Sequence, residues 1–206
     1  MMRFLVMLLI LVLTACSKEP EKTANTKNEP VMVQSPTYQE PEQPRLNFVN
    51  LKEAIVAIKP TMSDTVNEIS QGAALLALWS ANNLNFSDFD KMSQSKYSLI
   101  MKDPDEERGK LLCTIGSIIE IQVEKADGNK FYNGGLVDHY GHIYRFIAVR
   151  STGDLVAGSV AHFCGVVTGK QSYANSVGGM AHAVFLVGMF VLPENKKDIR
   201  PVNESL

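Results

Sequence analysis

Apolar and polar residues alternate most clearly between positions 110 and 124. The odd positions there are mostly apolar, and the even positions of the second half are Glu, Gln and Glu. A period of two is typical of a β-strand with one face buried and the other in water. The stretch therefore predicts a long first strand that buries its odd-numbered residues, among them Ile115 and Ile119, and bends at Gly116.

Four further strands are predicted downstream, each an apolar run bounded by turn residues. They span residues 130–137, 143–150, 160–168 and 180–192. An eleven-residue polar loop, 169–179, is predicted to separate the last two strands. Five strands with a bent first member resemble the OB-fold, a small Greek-key β-barrel. This resemblance implies a small closed five-stranded OB-like barrel over residues 110–195, followed by a tail at 196–206.

Helical signals occupy the stretch before the barrel, residues 46–109. Asn50 is a suitable N-cap for a helix ending at Lys59, and Glu53 stands three residues on, as in a capping box. Apolar residues at helical spacing predict a second helix from Ser63 to about Asn83, and shorter helical pieces follow. We expect the second helix to pack on the barrel, the alternative being an exposed partner-binding helix. The fold class is therefore predicted to be α+β, with a short helical subdomain ahead of the barrel.

The N-terminus has the pattern of an export signal. A positive start of three residues is followed by ten apolar residues, too few to span a bilayer, and then by Leu-Thr-Ala-Cys ending at Cys16. These features resemble the signal and lipobox of bacterial lipoproteins. The resemblance implies a signal peptide over residues 1–15, acylation of Cys16 and anchoring in a lipid bilayer. Ser17 at the second mature position suggests the outer membrane, facing the periplasm.

Residues 16–45 have the composition of a disordered tether. They carry five of the nine prolines and few large apolar residues, so they cannot bury enough surface to offset chain entropy. The chain as a whole has a net charge of −2 and contains no basic run. Because nucleic-acid-binding OB-folds need a positive groove with stacking aromatic residues, nucleic acid is not the expected partner.

Cysteine chemistry gives two interpretations. Beyond Cys16 only Cys113 and Cys164 remain, and an even pair in an exported chain suggests a disulfide, with two buried thiols as the alternative. His162 lies two residues before Cys164, so both side chains share one face of a strand and could form a nucleophile pair. The four histidines show no metal-ligand spacing, and we predict no metal and no cofactor.

The predicted loop 169–179 is the best candidate for contact with a partner, because loops of this length are often functional. By resemblance to OB-folds, it would border the ligand face. The partner-binding candidates are Lys170, Tyr173, Asn175 and Ser176, with Arg145 and Lys130 nearby.

The sequence thus favours a membrane-anchored periplasmic lipoprotein that acts as a binding or assembly module. Its expected partner is an envelope protein or glycan, and one form of this function is an inhibitor or immunity protein. The alternative is an envelope enzyme that uses Cys164 and His162.

Overall fold

The computed structural model describes residues 46–175 and 177–193. The predicted signal peptide (1–15), Cys16, the tether (16–45), Ser176 and the tail (196–206) lie outside these residues. Within the described part, no helix is long and apolar enough to cross a membrane.

The helices precede the five long strands along the chain, and the predicted α+β class is confirmed. The elements are α1 (Leu51–Ile58), β1 (Thr65–Val66), α2 (Gln71–Asn83), α3 (Tyr97–Lys102), α4 (Pro104–Glu107), β2 (Leu111–Ala126), β3 (Asn129–Asp138), β4 (Ile143–Ala148), β5 (Val160–Ala174) and β6 (Met180–Phe190). Short 3₁₀ turns cover Lys59–Thr61 and Phe86–Lys91.

The five long strands form a ring of pairings. β2 pairs antiparallel with β3 and β5, and β3 pairs antiparallel with β4. β4 then runs parallel to β6, and β6 pairs antiparallel with β5, which returns the ring to β2. The two-residue β1 adds a short parallel pairing to β5.

The bend of β2 makes this ring possible. Gly116 pairs with Ala161 of β5 and also with Asp138 of β3, so one strand serves two neighbours around this residue. The register shifts between Ile118 and Glu120, two residues beyond the glycine where the sequence predicts the bend. A bulge of this kind turns the strand. Ile118 and Ile121, three residues apart, pack in the same core, so the alternation of faces is interrupted at Ile119.

The two faces of the sheet belong to two different cores. One face gathers apolar residues from all five long strands around Phe146, Phe163 and Phe190, whose ring centroids lie 5.0–5.3 Å apart. The opposite face joins residues such as Phe131 and Ile147 to the buried sides of α1 and α2. We call α1, α2 and the segments that pack with them the helical layer.

Two boundaries differ from those expected. α2 begins at Gln71, not at Ser63, and its N-cap is Ser70, whose Oγ accepts a hydrogen bond from the amide of Ala73. Between Ser63 and Ser70, Thr65–Val66 form β1 and pair with β5, which the helical pattern did not indicate. β5 also continues to Ala174, so the predicted eleven-residue loop is wrong. The amide of Asn175 donates a hydrogen bond to the carbonyl of Gly179 just before β6 begins.

A close approach explains the glycine in α2. A Cβ built at Gly72 would lie 2.6 Å from the backbone nitrogen of Met62 and 2.7 Å from its Cα. Backbone cannot move aside as a flexible side chain can, so the contact between this helix and the segment after α1 requires glycine.

We therefore expect Gly72→Ala to destabilise the protein, although alanine is the better helix former by about 1 kcal/mol. Overpacking of this kind typically costs about 1–3 kcal/mol. Urea unfolding followed by circular dichroism measures the change. Gln71→Ala, at the exposed neighbouring position, is the control and should leave the midpoint nearly unchanged. A Gly72→Ala variant at least as stable as the parent would contradict this account.

Candidate functional site

A ladder of three directly opposed pairs runs along β2 and β5 on the face that the helical layer partly covers. Because alternate residues of a strand point to one face, register determines its membership. The pairs are Cys113 with Cys164, Ile115 with His162, and Ser117 with Val160. We call these six residues the β2–β5 ladder.

The first rung is a disulfide, as the cysteine count suggested. The sulfurs of Cys113 and Cys164 lie 2.04 Å apart, and the bond closes a separation of 51 residues. A loop of this size stabilises the fold by roughly 4 kcal/mol in the chain-entropy description. Cys164 is 3 % exposed and packs in the core of the helical layer, with Cys113 beside it.

The same bond bears on the enzymatic alternative. The Nε2 of His162 lies 3.7 Å from the Sγ of Cys164, as a nucleophile pair would require. That sulfur is bonded to Cys113, however, and a nucleophile must be a thiolate. The pair therefore has no thiol to activate while the disulfide is closed, and the enzymatic alternative applies only to a reduced form.

Past the disulfide, the described residues leave this sheet face partly exposed, and its most exposed side chains are apolar. Ile115 is 59 % exposed, Val160 is 70 % exposed and Ile119, two residues beyond the last β2 rung, is 49 % exposed. Ile119 sits over Gly135, where an added Cβ would lie 2.9 Å from its side chain. We call Ile115, Ile119 and Val160 the exposed apolar patch.

The patch corrects the first expectation from the sequence. Alternation placed Ile115 and Ile119 on the buried face, yet both are largely exposed. Alternation shows which residues share a face, whereas burial depends on a second element covering that face. Within residues 46–175 and 177–193, no such element covers the face beyond Cys113. The one feature of the sequence that could have pointed to an exposed apolar surface is the run of β-branched apolar residues at the odd positions of β2.

A second polar cluster surrounds Asp138 at the β3–β4 turn. Its carboxylate accepts hydrogen bonds from the amides of Tyr140 and His142, from the Nδ1 of His142 at 2.9 Å and from the hydroxyl of Tyr144 at 3.0 Å. The ring of His142 stacks on Tyr97 of α3 with centroids 3.9 Å apart. The cluster thus fastens α3 to the turn.

Protonation in this cluster follows from burial and hydrogen bonding. Burial alone raises the pKa of Asp138, but the hydrogen bonds from His142, Tyr144 and Tyr140 outweigh it and hold the pKa below its usual value. Burial raises the pKa of Tyr144, and its hydrogen bond to Asp138 adds to the effect. The carboxylate is therefore charged and the phenol neutral at pH 7.

Two of the six predicted partner-binding residues, Lys170 and Asn175, already hold the fold together. The amide of Lys170 donates to Asp64 at 2.9 Å, and its ammonium approaches Asp64 and the carbonyl of Met101. The side-chain oxygen of Asn175 accepts from the amide of Gly179 at 2.8 Å, which closes the turn. These contacts give both residues a structural role.

The remaining candidates lie on three different strands or outside the described residues. Arg145 on β4 is paired with Glu120, Lys130 is exposed on β3, and Tyr173 is half-buried on β5. Ser176 is outside the described part. Binding of a partner by this set stays a prediction.

A groove also lies in the helical layer, with a volume of about 1310 Å³. It runs between α1, the 3₁₀ turn Phe86–Lys91 and α4, and is lined by both basic and acidic side chains. Two of its cations, Arg108 and Lys110, are held by carboxylates of the protein itself. None of the ladder residues lines it.

Comparison with protein-family models finds no match for the chain, and comparison with curated proteins finds no similar sequence.

The Asp138 cluster predicts a specific acid sensitivity. A carboxyl whose pKa is lower when folded contributes stability above its unfolded pKa of about 3.9, and loses it as pH falls through the folded value. The free energy of unfolding should therefore decrease as the pH falls below about 4. Asp138→Asn should be less stable at pH 7 and lose less stability on acidification.

Urea unfolding at a series of pH values measures both slopes. Asp154→Asn, at an exposed position, is the control and should follow the parent curve. If the curves of Asp138→Asn and the parent remain parallel down to acid unfolding, the hydrogen bonds do not lower the pKa as described.

Proposed function

We propose that this protein is a lipid-anchored binding module of the bacterial envelope that docks a protein partner on its exposed apolar patch. The observation that carries the proposal is the grouping of Ile115, Ile119 and Val160 on one sheet face where the helical layer ends. Contiguous apolar surface on a folded domain marks an interaction site more often than isolated apolar residues do.

The chemistry of the patch favours a protein over a glycan. Branched aliphatic side chains gain free energy by losing water against another apolar surface. A glycan presents hydroxyl groups, and these need hydrogen-bond partners when they are buried. The ion pair of Arg145 with Glu120 beside the patch resembles the polar rim of a protein interface.

We further propose that the ring is an OB-like barrel. The long strands follow the closed order β2-β3-β4-β6-β5, with β4 parallel to β6, in support of the resemblance seen in the sequence. OB-folds bind ligands on the outer face of their second and third strands. Here that face carries Phe131 and Ile147, which pack in the helical layer, so docking falls on β2 and β5 instead.

The anchor completes the proposal. The signal-like residues 1–15, the lipobox ending at Cys16 and the proline-rich stretch to residue 45 support an acylated protein whose folded part stands off the outer membrane, facing the periplasm. One partner that fits is a secreted toxin or hydrolase, which the bound protein would inhibit.

Docking is tested with a photo-crosslinking amino acid at position 119. The full chain in its native envelope should crosslink to a protein from this position and not from position 177, where Val177 is 88 % exposed in the β5–β6 turn. For binding of the purified partner, Ile119→Lys should raise the dissociation constant at least tenfold, which is about 1.4 kcal/mol of binding free energy. The reason is that a charge would be buried in an apolar contact.

Val177→Lys is the matched control and should bind as the parent does. Equal crosslinking from both positions, or an unchanged dissociation constant for Ile119→Lys, would refute docking on the patch. Crosslinking to peptidoglycan or lipopolysaccharide in place of a protein would show that the partner is a glycan, and would overturn the proposal of a protein partner.

The anchor is tested by metabolic labelling with radioactive palmitate. The parent should incorporate label and fractionate with membranes, and Cys16→Ser should do neither, because the thiol is the acylation site. Ser17→Ala, which keeps the cysteine, is the control. A parent chain that remains unlabelled would overturn the anchor without affecting the docking test.

A further inference from the structure

Three metal-ligating side chains meet on the β2–β5 ladder. The sulfurs of Cys113 and Cys164 and a ring nitrogen of His162 all lie within 4.8 Å of one another. The register produces this grouping, because the two cysteines are directly opposed and His162 stands two residues before Cys164 on the same face. Sequence spacing places His162 beside Cys164, and the register adds Cys113 from the other strand.

The donor set matches a particular class of ion. Two thiolates and an imidazole are ligands of Zn²⁺, with bonds of about 2.3 Å to sulfur and about 2.0 Å to nitrogen. Soft thiolates also bind Cu⁺, whereas Mg²⁺ and Ca²⁺ prefer oxygen. We propose that, when the Cys113–Cys164 bond is reduced, these two cysteines and His162 bind Zn²⁺ or a similarly thiophilic cation.

The disulfide and the metal site are alternative states of one rung. A dithiol reductant supplies two electrons, breaks the Cys113–Cys164 bond and becomes a disulfide itself. Each cysteine then releases its proton as its sulfur binds the cation, and the oxidation state of Zn²⁺ does not change. Oxidation reverses the sequence, because a sulfur bonded to sulfur is no longer a thiolate ligand.

The burial of the three ligands suits a metal site that is partly shielded from solvent and still accessible to an ion. Cys164 is buried, while Cys113 and His162 are half-buried at the edge of the helical layer. The next rung toward solvent includes the exposed Ile115. Three protein ligands leave a tetrahedral ion one position for water or for a group from outside.

The test uses the full chain in detergent, reduced anaerobically with a phosphine and freed of excess reductant. Titration with Co²⁺ should give the thiolate-to-metal absorption and the visible bands of a tetrahedral site, at one ion per chain. Zn²⁺ should displace the Co²⁺ and protect both cysteines from iodoacetamide. The oxidised chain should show none of these signals.

His162→Ala separates a built site from chelation by two thiols alone. It should weaken Zn²⁺ binding in the reduced chain by at least about tenfold, and His139→Ala, at an exposed turn position, should not. Equal affinity in His162→Ala and the parent would overturn the proposal, as would a reduced parent that binds neither Zn²⁺ nor Cu⁺. A titration in which only Cu⁺ binds would assign the cation to copper.

Circular dichroism before and after reduction completes the design. A reduced chain that keeps its strand spectrum, or regains it when Zn²⁺ is added, supports a site built by the fold. A reduced chain that unfolds and stays unfolded with Zn²⁺ overturns it.

Discussion

The close passage of β5 against β6 is the constraint on which the rest of the structure depends. Gly165 and Gly188 stand directly opposite each other, and a Cβ on Gly188 would lie 2.0 Å from the carbonyl oxygen of Cys164. No side chain fits this gap, so glycine allows the ring to close. The closure brings Phe163 and Phe190 together in one core and presents Cys164 to Cys113 on the other face.

Local chemistry accounts for the parts of the fold that the sequence predicted well. Five strands could be recognised because each is an apolar run between turn residues, and the start of α1 because Asn50 and Glu53 cap it as expected. The start of α2 was misplaced because Ser63 resembles a cap. The next residue, Asp64, instead binds Arg108 and Lys170, which are distant in sequence, and no local pattern records such contacts.

The candidate site likewise combines features that the local sequence predicts with features that depend on distant contacts. The cysteine bond could be predicted from an even count and neighbouring strands, and the place of His162 beside Cys164 from their spacing. Only the register shows that Cys113 lies directly opposite Cys164. The exposed apolar patch was missed because alternation cannot tell whether another layer covers Ile115 and Ile119. The polar composition around Lys170 predicts a loop, although continued pairing with β6 makes this stretch a strand.

The attachment of the first described residues has a mechanical consequence. The indole nitrogen of Trp79 donates to the carbonyl of Phe48, 31 residues earlier, at 3.1 Å, and Trp79 itself is 2 % exposed in the core of the helical layer. A pull applied through the chain ahead of residue 46 therefore loads α1 and α2 before it reaches the five long strands. The helical layer should therefore unfold first under tension, and the five long strands with their disulfide should bear the force only afterwards.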